Sequence, residues 1–435
     1  MVCYKIGTCC ARTAPIVIDP KLPNYIPRLL DPVLDEILLE HPAVMIVGPR
    51  AVGKTTMLAR RAASAVRLQR AAERDAVQAD PYAVLRGLPR PTMIDEWQLV
   101  PEVLAAVKDA VDEGAPPGSF LITGSVRADL SPQGWPMTGR VVRLPMFGLT
   151  PRELSGGAGG GSFLDVAREN SDALHTVTGP RPDLRDYVEQ ALASGFPEVV
   201  RASSNGRRRF LSSYADQIVG RDLDPIWPAV EPVKVRRYLQ AIAANTAGMV
   251  EHKTLYDAAG IARATAVAYD DSLERLVVTE RLPAWSSNLL SRLSGTPKRH
   301  LIDPALIVPL IGVDERAVLR NGDLLGRVVE SFVLAQLRVD STLSQNDPRL
   351  YHLRDTNGRH EIDIVAEFPN GDLVAIEVKA AAAPGLDAAR HLEWLRDHVG
   401  AKFRAGIVAH TGERSFRGSD RIHFLPIATI AQSPD

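Results

Sequence analysis

Residues 44–64 read VMIVGPRAVGKTTMLARRAAS, and their order decides the fold of the N-terminal third. Val44, Met45, Ile46 and Val47 form a short apolar run closed by a glycine, as a buried strand requires. Gly48, then Pro49, Arg50, Ala51 and Val52, then Gly53, Lys54, Thr55 and Thr56 satisfy the phosphate-loop pattern between a strand and a helix. Glycines let the backbone wrap a polyphosphate with its N–H groups pointing inward, and the following helix adds the positive end of its dipole. Lys54 is expected to reach the terminal phosphates of ATP, and the Thr55 hydroxyl to help hold Mg2+.

Working outward, TMIDEWQ (residues 92–98) reads as a second buried strand ending in acids. Asp95 is expected to bind magnesium through its water shell, and Glu96 to orient and deprotonate the attacking water. LITGS ends a third strand and places Thr123 or Ser125 near the terminal phosphate. Arg140, in MTGRVVRL, is a candidate for an arginine supplied to a neighbouring subunit's phosphate, which makes a homo-oligomer a candidate assembly. Strands alternating with helices imply a parallel sheet covered on both faces. The Ala- and Arg-rich stretch from Lys54 to about Ala79 reads as helix, with room for one interruption.

The whole chain sets limits on this reading. At 435 residues it exceeds one ordinary core. Apolar residues make up 45% and charged ones 24%, with a net charge of −1. Nothing global therefore advertises nucleic acid, and any such contact must use a local patch. No stretch approaches the apolar length of a membrane span and no secretion signal is legible, so the expectation is a cytoplasmic protein without a membrane role. Cys3, Cys9 and Cys10 fall in the first ten residues without a fourth ligand nearby, and are read as part of a poorly ordered tail.

PRELSGGAGGGSF carries five glycines within six residues and reads as a linker. Beyond it, helical patterning continues to about residue 245. Then KTLYDAAG, ARATAVAYDDSLERLV, VVTERLPAW and KRHLID give helix, helix, strand, strand, the order of a winged helix-turn-helix. Between Lys253 and His300, seven basic residues face five acidic ones, and the second helix carries Asp270 and Asp271. That favours a structural or protein-binding unit over a DNA reader. His252 and His300 show no short-range carboxylate partner and are assigned no chemistry. His391 and Trp394 in HLEWL are read as the core-facing side of a helix.

A second constellation lies near the C-terminus. In LVAIEVKA, alternation puts Glu377 and Lys379 on one face, and in HEIDIVAEF it puts Glu361 and Asp363 on one face, each strand apolar beneath. If the strands are neighbours, Asp363, Glu377 and Lys379 meet, with Glu330 of GRVVESF as a further carboxylate. Two or three carboxylates beside a lysine can hold a hard divalent cation and activate water. An alternating charged face can equally be only solvated.

With these residues in view, the chain resembles a family of bacterial and archaeal AAA-type ATPases whose C-terminal part, a domain of unknown function, resembles the PD-(D/E)xK restriction-endonuclease fold. The resemblance rests on YIPRLL, GPRAVGKTT, DEWQLVPEVL, FLITGS, LTPREL, GFPEVV, GRDL, KRHLIDPAL, EIDIV and IEVKA. It implies an α/β P-loop NTPase domain with Walker A and Walker B elements, a helical lid and winged helix, and a nuclease-like α/β domain. The expected boundaries are a tail at 1–24, the ATPase domain at 25–154 and a linker at 155–162. A lid at 163–245, a winged-helix segment at 246–322 and the nuclease-like domain at 323–435 follow. Two departures stand out: a strand with an aspartate is missing after the phosphate-loop helix, and Trp97 replaces a smaller aliphatic residue.

Three functions fit. The first is a Mg2+-dependent ATPase whose nucleotide state is coupled to a nuclease-like recognition or regulatory domain. The second is an ATP-gated, metal-dependent nuclease in which Lys379 joins the acids. The third is a nucleotide-dependent binding module acting through the winged helix with little hydrolysis. A nucleic-acid or protein partner is expected to use the C-terminal half.

Overall fold

The computed structural model describes residues 25–125, 136–157, 160–222, 231–355 and 358–432. The tail at 1–24, with Cys3, Cys9 and Cys10, and the middle of the glycine-rich linker lie outside the described residues.

Five parallel strands form the first sheet: β1 (Ala43–Val47), β2 (Ser64–Arg67), β3 (Thr92–Asp95), β4 (Phe120–Gly124) and β5 (Val142–Pro145), in the order β2-β3-β4-β1-β5. Along β1, Val44 and Ile46 enter one hydrophobic cluster while Ala43 and Met45 enter another on the opposite face. This two-residue alternation between two dry faces is what a parallel sheet covered on both sides demands. The phosphate loop leaves the C-terminal edge of this sheet. Gly48 is required there, because a Cβ would lie 2.0 Å from the carbonyl oxygen of Met146 just after β5.

The stretch 54–79 corrects the sequence expectation. It is a helix Lys54–Ala59, the strand β2 and a helix Ala71–Ala79. A strand is thus present there, without the aspartate. It escaped notice because β2 is a four-residue edge strand in which only Val66 is fully buried, so neither length nor apolar content marks it.

Helices Phe163–Asn170, Leu184–Ala193, Ser204–Gln217 and Pro232–Ala244 follow. Next come helices His252–Ala259 and Arg263–Arg275, with Gly260 between them in a left-handed turn at φ 66°. The antiparallel strands β6 (Thr279–Leu282) and β7 (Lys298–Leu301) complete that unit in the expected order. Two expectations are corrected here. Asp270 is buried rather than displayed, accepting from Arg299 Nη2 at 2.8 Å and from the Tyr238 hydroxyl at 2.7 Å. His252 does have a carboxylate near it, with its Nε2 3.3 Å from Asp270 Oδ2. Sequence distance hid both contacts.

The helix Gly322–Leu343 leads into a six-stranded mixed sheet. Its strands are β8 (Arg349–Arg354), β9 (Glu361–Glu367), β10 (Leu373–Lys379), β11 (Phe403–His410), β12 (Phe416–Arg417) and β13 (Ile422–Pro426), in the order β12-β13-β11-β10-β9-β8. Val374 and Ile376 pack into the central cluster shared with the helices between Phe163 and Ala244, while Leu373, Ala375 and Val365 pack into a third cluster with Leu392 and Leu395. The face carrying Glu377 is therefore dry along most of β10, and charge appears only at the strand end. Leu392 and Leu395 supply the buried side of the helix Arg390–Val399, whereas His391 and Trp394 are only half-buried, the Trp394 ring stacked on His360 at 4.0 Å. Asp340 near the end of the long helix joins the two halves: it accepts from Ser162 Oγ at 2.8 Å and the Phe163 and Leu164 amides at 2.7 and 2.9 Å, capping the helix Phe163–Asn170.

Candidate functional site

At the C-terminal edge of the first sheet, the loop 48–53 turns through Ala51 at φ 64° and Gly53 at φ 99° into the helix Lys54–Ala59. Lys54 is 4% exposed, and its Nζ donates to the carbonyls of Gly48 at 3.0 Å and Pro49 at 2.8 Å and to Ser125 Oγ at 3.3 Å. Burial pushes its ammonium down to about 8, against the opposing pull of Glu96 and Asp95. Thr55 Oγ1 donates to Asp95 Oδ1 at 2.6 Å, and Thr123 Oγ1 donates to the same oxygen at 2.7 Å. Ser125 Oγ donates to Glu96 Oε1 at 2.9 Å, and Gln98 also donates to that carboxylate. Glu96 holds a left-handed backbone at φ 60°, unusual for a residue with a side chain, and its amide donates to Thr123 Oγ1 at 2.9 Å. The residues expected to form one site from residues 48–56, 95–96 and 123–125 are thus contiguous.

Trp97 is buried against Gly124, where a Cβ would come within 2.4 Å of the indole Nε1. Arg140 stands apart. It precedes β5 at the opposite edge of the sheet from the loop, and its Nε donates to Asp112 Oδ1 at 2.7 Å.

Sequence reasoning missed two contributors. Arg28, 4% exposed, donates to Val52 O at 2.9 Å, Phe147 O at 2.6 Å and Glu153 Oε1 at 2.9 Å, so that a residue before β1 braces the phosphate loop. Glu153 closes a capping box with Thr150. The signal was an arginine in YIPRLL and an acid in LTPREL, each in an otherwise apolar setting. A cavity of about 310 Å³ beside the loop is lined by Tyr25, Ile26, Thr56, Met146, Pro197 and Arg201, joining the N-terminal segment to the stretch that follows the helix Leu184–Ala193. A larger one, about 400 Å³, lies away from the loop where Thr150, Tyr187, Asp303 and Phe332 meet.

The C-terminal acids also meet, around a residue the sequence did not single out. Lys298 Nζ on β7 lies 2.9 Å from Glu330 Oε1, 3.0 Å from Asp363 Oδ1 and 3.4 Å from Glu361 Oε1. Asp363 Oδ2 accepts from the Val378 amide at 2.9 Å, and Lys379 Nζ donates to Glu377 Oε1 at 2.6 Å. Glu377 Oε2 is buried without a hydrogen-bond partner. Burial, reinforced by Asp363, pushes Glu377 up to about 8 and Glu330 well above the carboxylate range. Burial would also raise Asp363, but Lys298 and the Val378 amide hold it below its ordinary value. The available signal for Lys298 was KRHL, three basic side chains on a four-residue strand that is buried throughout; such a strand needs acids from elsewhere. His300, with Nδ1 3.2 Å from Ser331 Oγ, is buried beside it.

Among the described residues, the trio whose ligand atoms gather most closely for a metal is elsewhere: Asp172, His175 and His423. There His175 Nε2 lies 2.9 Å from His423 Nδ1, and Arg417 already pairs with Asp172 at 2.9 Å.

The all-parallel sheet, the loop and its acids define an AAA-type P-loop NTPase-like α/β domain in the N-terminal part of the chain. A family model described as an AAA domain matches residues 40–155. Two models described as domains of unknown function, DUF8612 and DUF4143, match residues 184–317 and 325–430. Uncharacterized proteins of Mycobacterium tuberculosis and Mycobacterium bovis are each 28% identical over 402 residues, covering 91% of this chain and 82% of the relative. Among solved structures, the Walker-type ATPase of Pyrococcus abyssi is similar at 14% identity and a TM-score of 0.38, over 64% of this chain and 94% of that one. Among the described residues no helix is long and apolar enough to cross a membrane.

Proposed function

We propose that the chain is a Mg2+-dependent ATPase. The reading rests on one observation: Thr55 and Asp95, from elements 40 residues apart, share a 2.6 Å hydrogen bond beside the buried ammonium of Lys54. Amides of the loop 48–53, in the Gly48, Pro49, Arg50, Ala51, Val52, Gly53 run, bind the phosphates, and Lys54 exchanges its carbonyl partners for the terminal phosphate. Thr55 would hold magnesium directly and Asp95 would hold it through its water shell, and the ion would supply charge that offsets that of the phosphates. Glu96 takes the proton of the attacking water, held in place by Ser125 and Gln98. Thr123 orients Asp95, and Thr56 borders the cavity that receives the nucleoside with Tyr25 and Pro197. Arg140 serves a neighbouring copy, since it lies at the far edge of its own sheet. Loss of phosphate release in Lys54→Ala, with wild type active, is the expected result; full activity in that variant removes the reading.

We further infer that the C-terminal domain is nuclease-like and acts as a recognition or regulatory element coupled to the nucleotide site. The adjacency of Asp363, Glu377 and Lys379, with Glu377 Oε2 unpartnered, supports it. In this reading Asp363, Glu377 and Glu330 would hold a divalent cation, which would supply charge to polarise a phosphodiester. Cleavage of DNA or RNA that needs a divalent metal and vanishes in Lys379→Ala is its test.

A further inference from the structure

Lys298 occupies the centre of the carboxylate cluster. Its side chain is 1% exposed, and its ammonium is within 3.0 Å of both Glu330 and Asp363. Asp363 uses its second oxygen on the Val378 amide, and Glu377 turns one oxygen to Lys379 and leaves the other buried and unpartnered. A hard divalent cation binds carboxylate oxygens at about 2.0–2.6 Å. It would have to share the space between Glu330 and Asp363 with an ammonium already there, and two cations a few ångströms apart in a dry site repel strongly.

The ammonium comes from a different part of the chain than the acids. Lys298 begins β7, in the unit that precedes the long helix, while Asp363 and Glu377 belong to the C-terminal sheet. β7 pairs with β6 and with no strand of that sheet. Its end is fixed elsewhere: Asp303, just beyond it, accepts from Ser194 Oγ at 2.7 Å and Gly195 N at 2.9 Å, at the start of the segment that lines the cavity beside the phosphate loop.

We propose that Lys298 is a built-in competitor for the divalent cation, its ammonium holding the place between Glu330 and Asp363 that a metal would take. This rests on the reading of Asp363 and Glu377 as metal ligands given above. The amine is part of the fold, so a freely diffusing ion competes with a group already held between the two carboxylates. The cluster as it stands is closed to Mg2+ and Mn2+.

The test is Mn2+ binding to nucleotide-free, full-length protein, read from the free Mn2+ signal in electron paramagnetic resonance. Wild type, Lys298→Met, Lys298→Met/Glu377→Gln and Lys298→Met/Glu330→Gln are compared. The last removes a buried acid together with the ammonium, and so keeps the local charge balance if Lys298→Met folds poorly. The expected result is one more Mn2+ per chain in Lys298→Met and in Lys298→Met/Glu330→Gln than in wild type, lost in Lys298→Met/Glu377→Gln. If wild type already binds that ion as tightly, the competition is overturned while the metal-ligand reading stands. If folded variants lacking Lys298 bind no additional ion, both fail.

Discussion

The Thr55 hydroxyl donates to Asp95 Oδ1 at 2.6 Å although β4 separates the strands that lead to these two residues. The contact is possible because Thr123, at the end of β4, is short enough to donate to the same oxygen without filling the gap. A larger side chain at 123 would separate the two groups assigned to magnesium.

The buried Lys54 should make nucleotide binding sensitive to pH. Its value is lowered to about 8, so between about 8 and the ordinary 10.5 the unfolded chain holds more protons than the native one. Stability of the nucleotide-free protein gains from this group as pH rises through that window. A bound polyphosphate restores the charge, so binding near pH 8 takes up a proton and ATP affinity falls above it. Calorimetry in buffers of different ionisation enthalpy measures this; no proton uptake would contradict the assignment.

Glu96→Gln should slow phosphate release by about 10²-fold or more, the usual contribution of a positioned general base, while ATP binding changes little. The amide still reaches Ser125 and Gln98 but cannot take a proton. Single-turnover hydrolysis alongside equilibrium binding separates the two effects, and a parallel loss of both would assign Glu96 to binding instead.

Arg28→Ala should destabilise the fold by about 3–5 kcal/mol, because Glu153 is left as a buried charge without its guanidinium. The loss should be accompanied by weaker ATP binding, since Val52 O in the phosphate loop loses its donor. Denaturant melts and nucleotide titration test the pair of effects. A stable variant with unchanged affinity would show that the brace is dispensable.

Glu377 should tie the C-terminal domain to pH in the opposite sense to Lys54. With its carboxyl raised from 4.5 to about 8, its contribution to stability is fully present below about 4.5 and is lost as pH climbs to 8. Glu377→Gln should therefore flatten the fall in melting temperature between pH 5 and 8. Equal slopes in the two proteins would mean that Glu377 is already ionised throughout.

The phosphate loop, β3 and β4 were legible because each couples a local pattern to a local role: an apolar run, a glycine bend, an acid or hydroxyl at the strand end. β2 was not, because an edge strand of Ser, Ala, Val and Arg carries no apolar alternation. The C-terminal acids could be grouped from strand periodicity, since Glu377 and Lys379 lie two residues apart on one face. Lys298 could not, because its partners are 32, 63 and 65 residues away and nothing local pairs them. Arg28 and Glu153, 125 residues apart, escaped for the same reason. The acid Asp270 misled the reading of the helix Arg263–Arg275, since composition counts a charge without telling which way it faces.

β7 serves two masters across a short span: Lys298 at its start reaches the C-terminal acids, and Asp303 just past its end reaches Ser194 and Gly195. A strand turns over with every added residue. One insertion or deletion between positions 298 and 303 would thus sever one of the two attachments. Natural length variation should accordingly spare the six residues from Lys298 to Asp303.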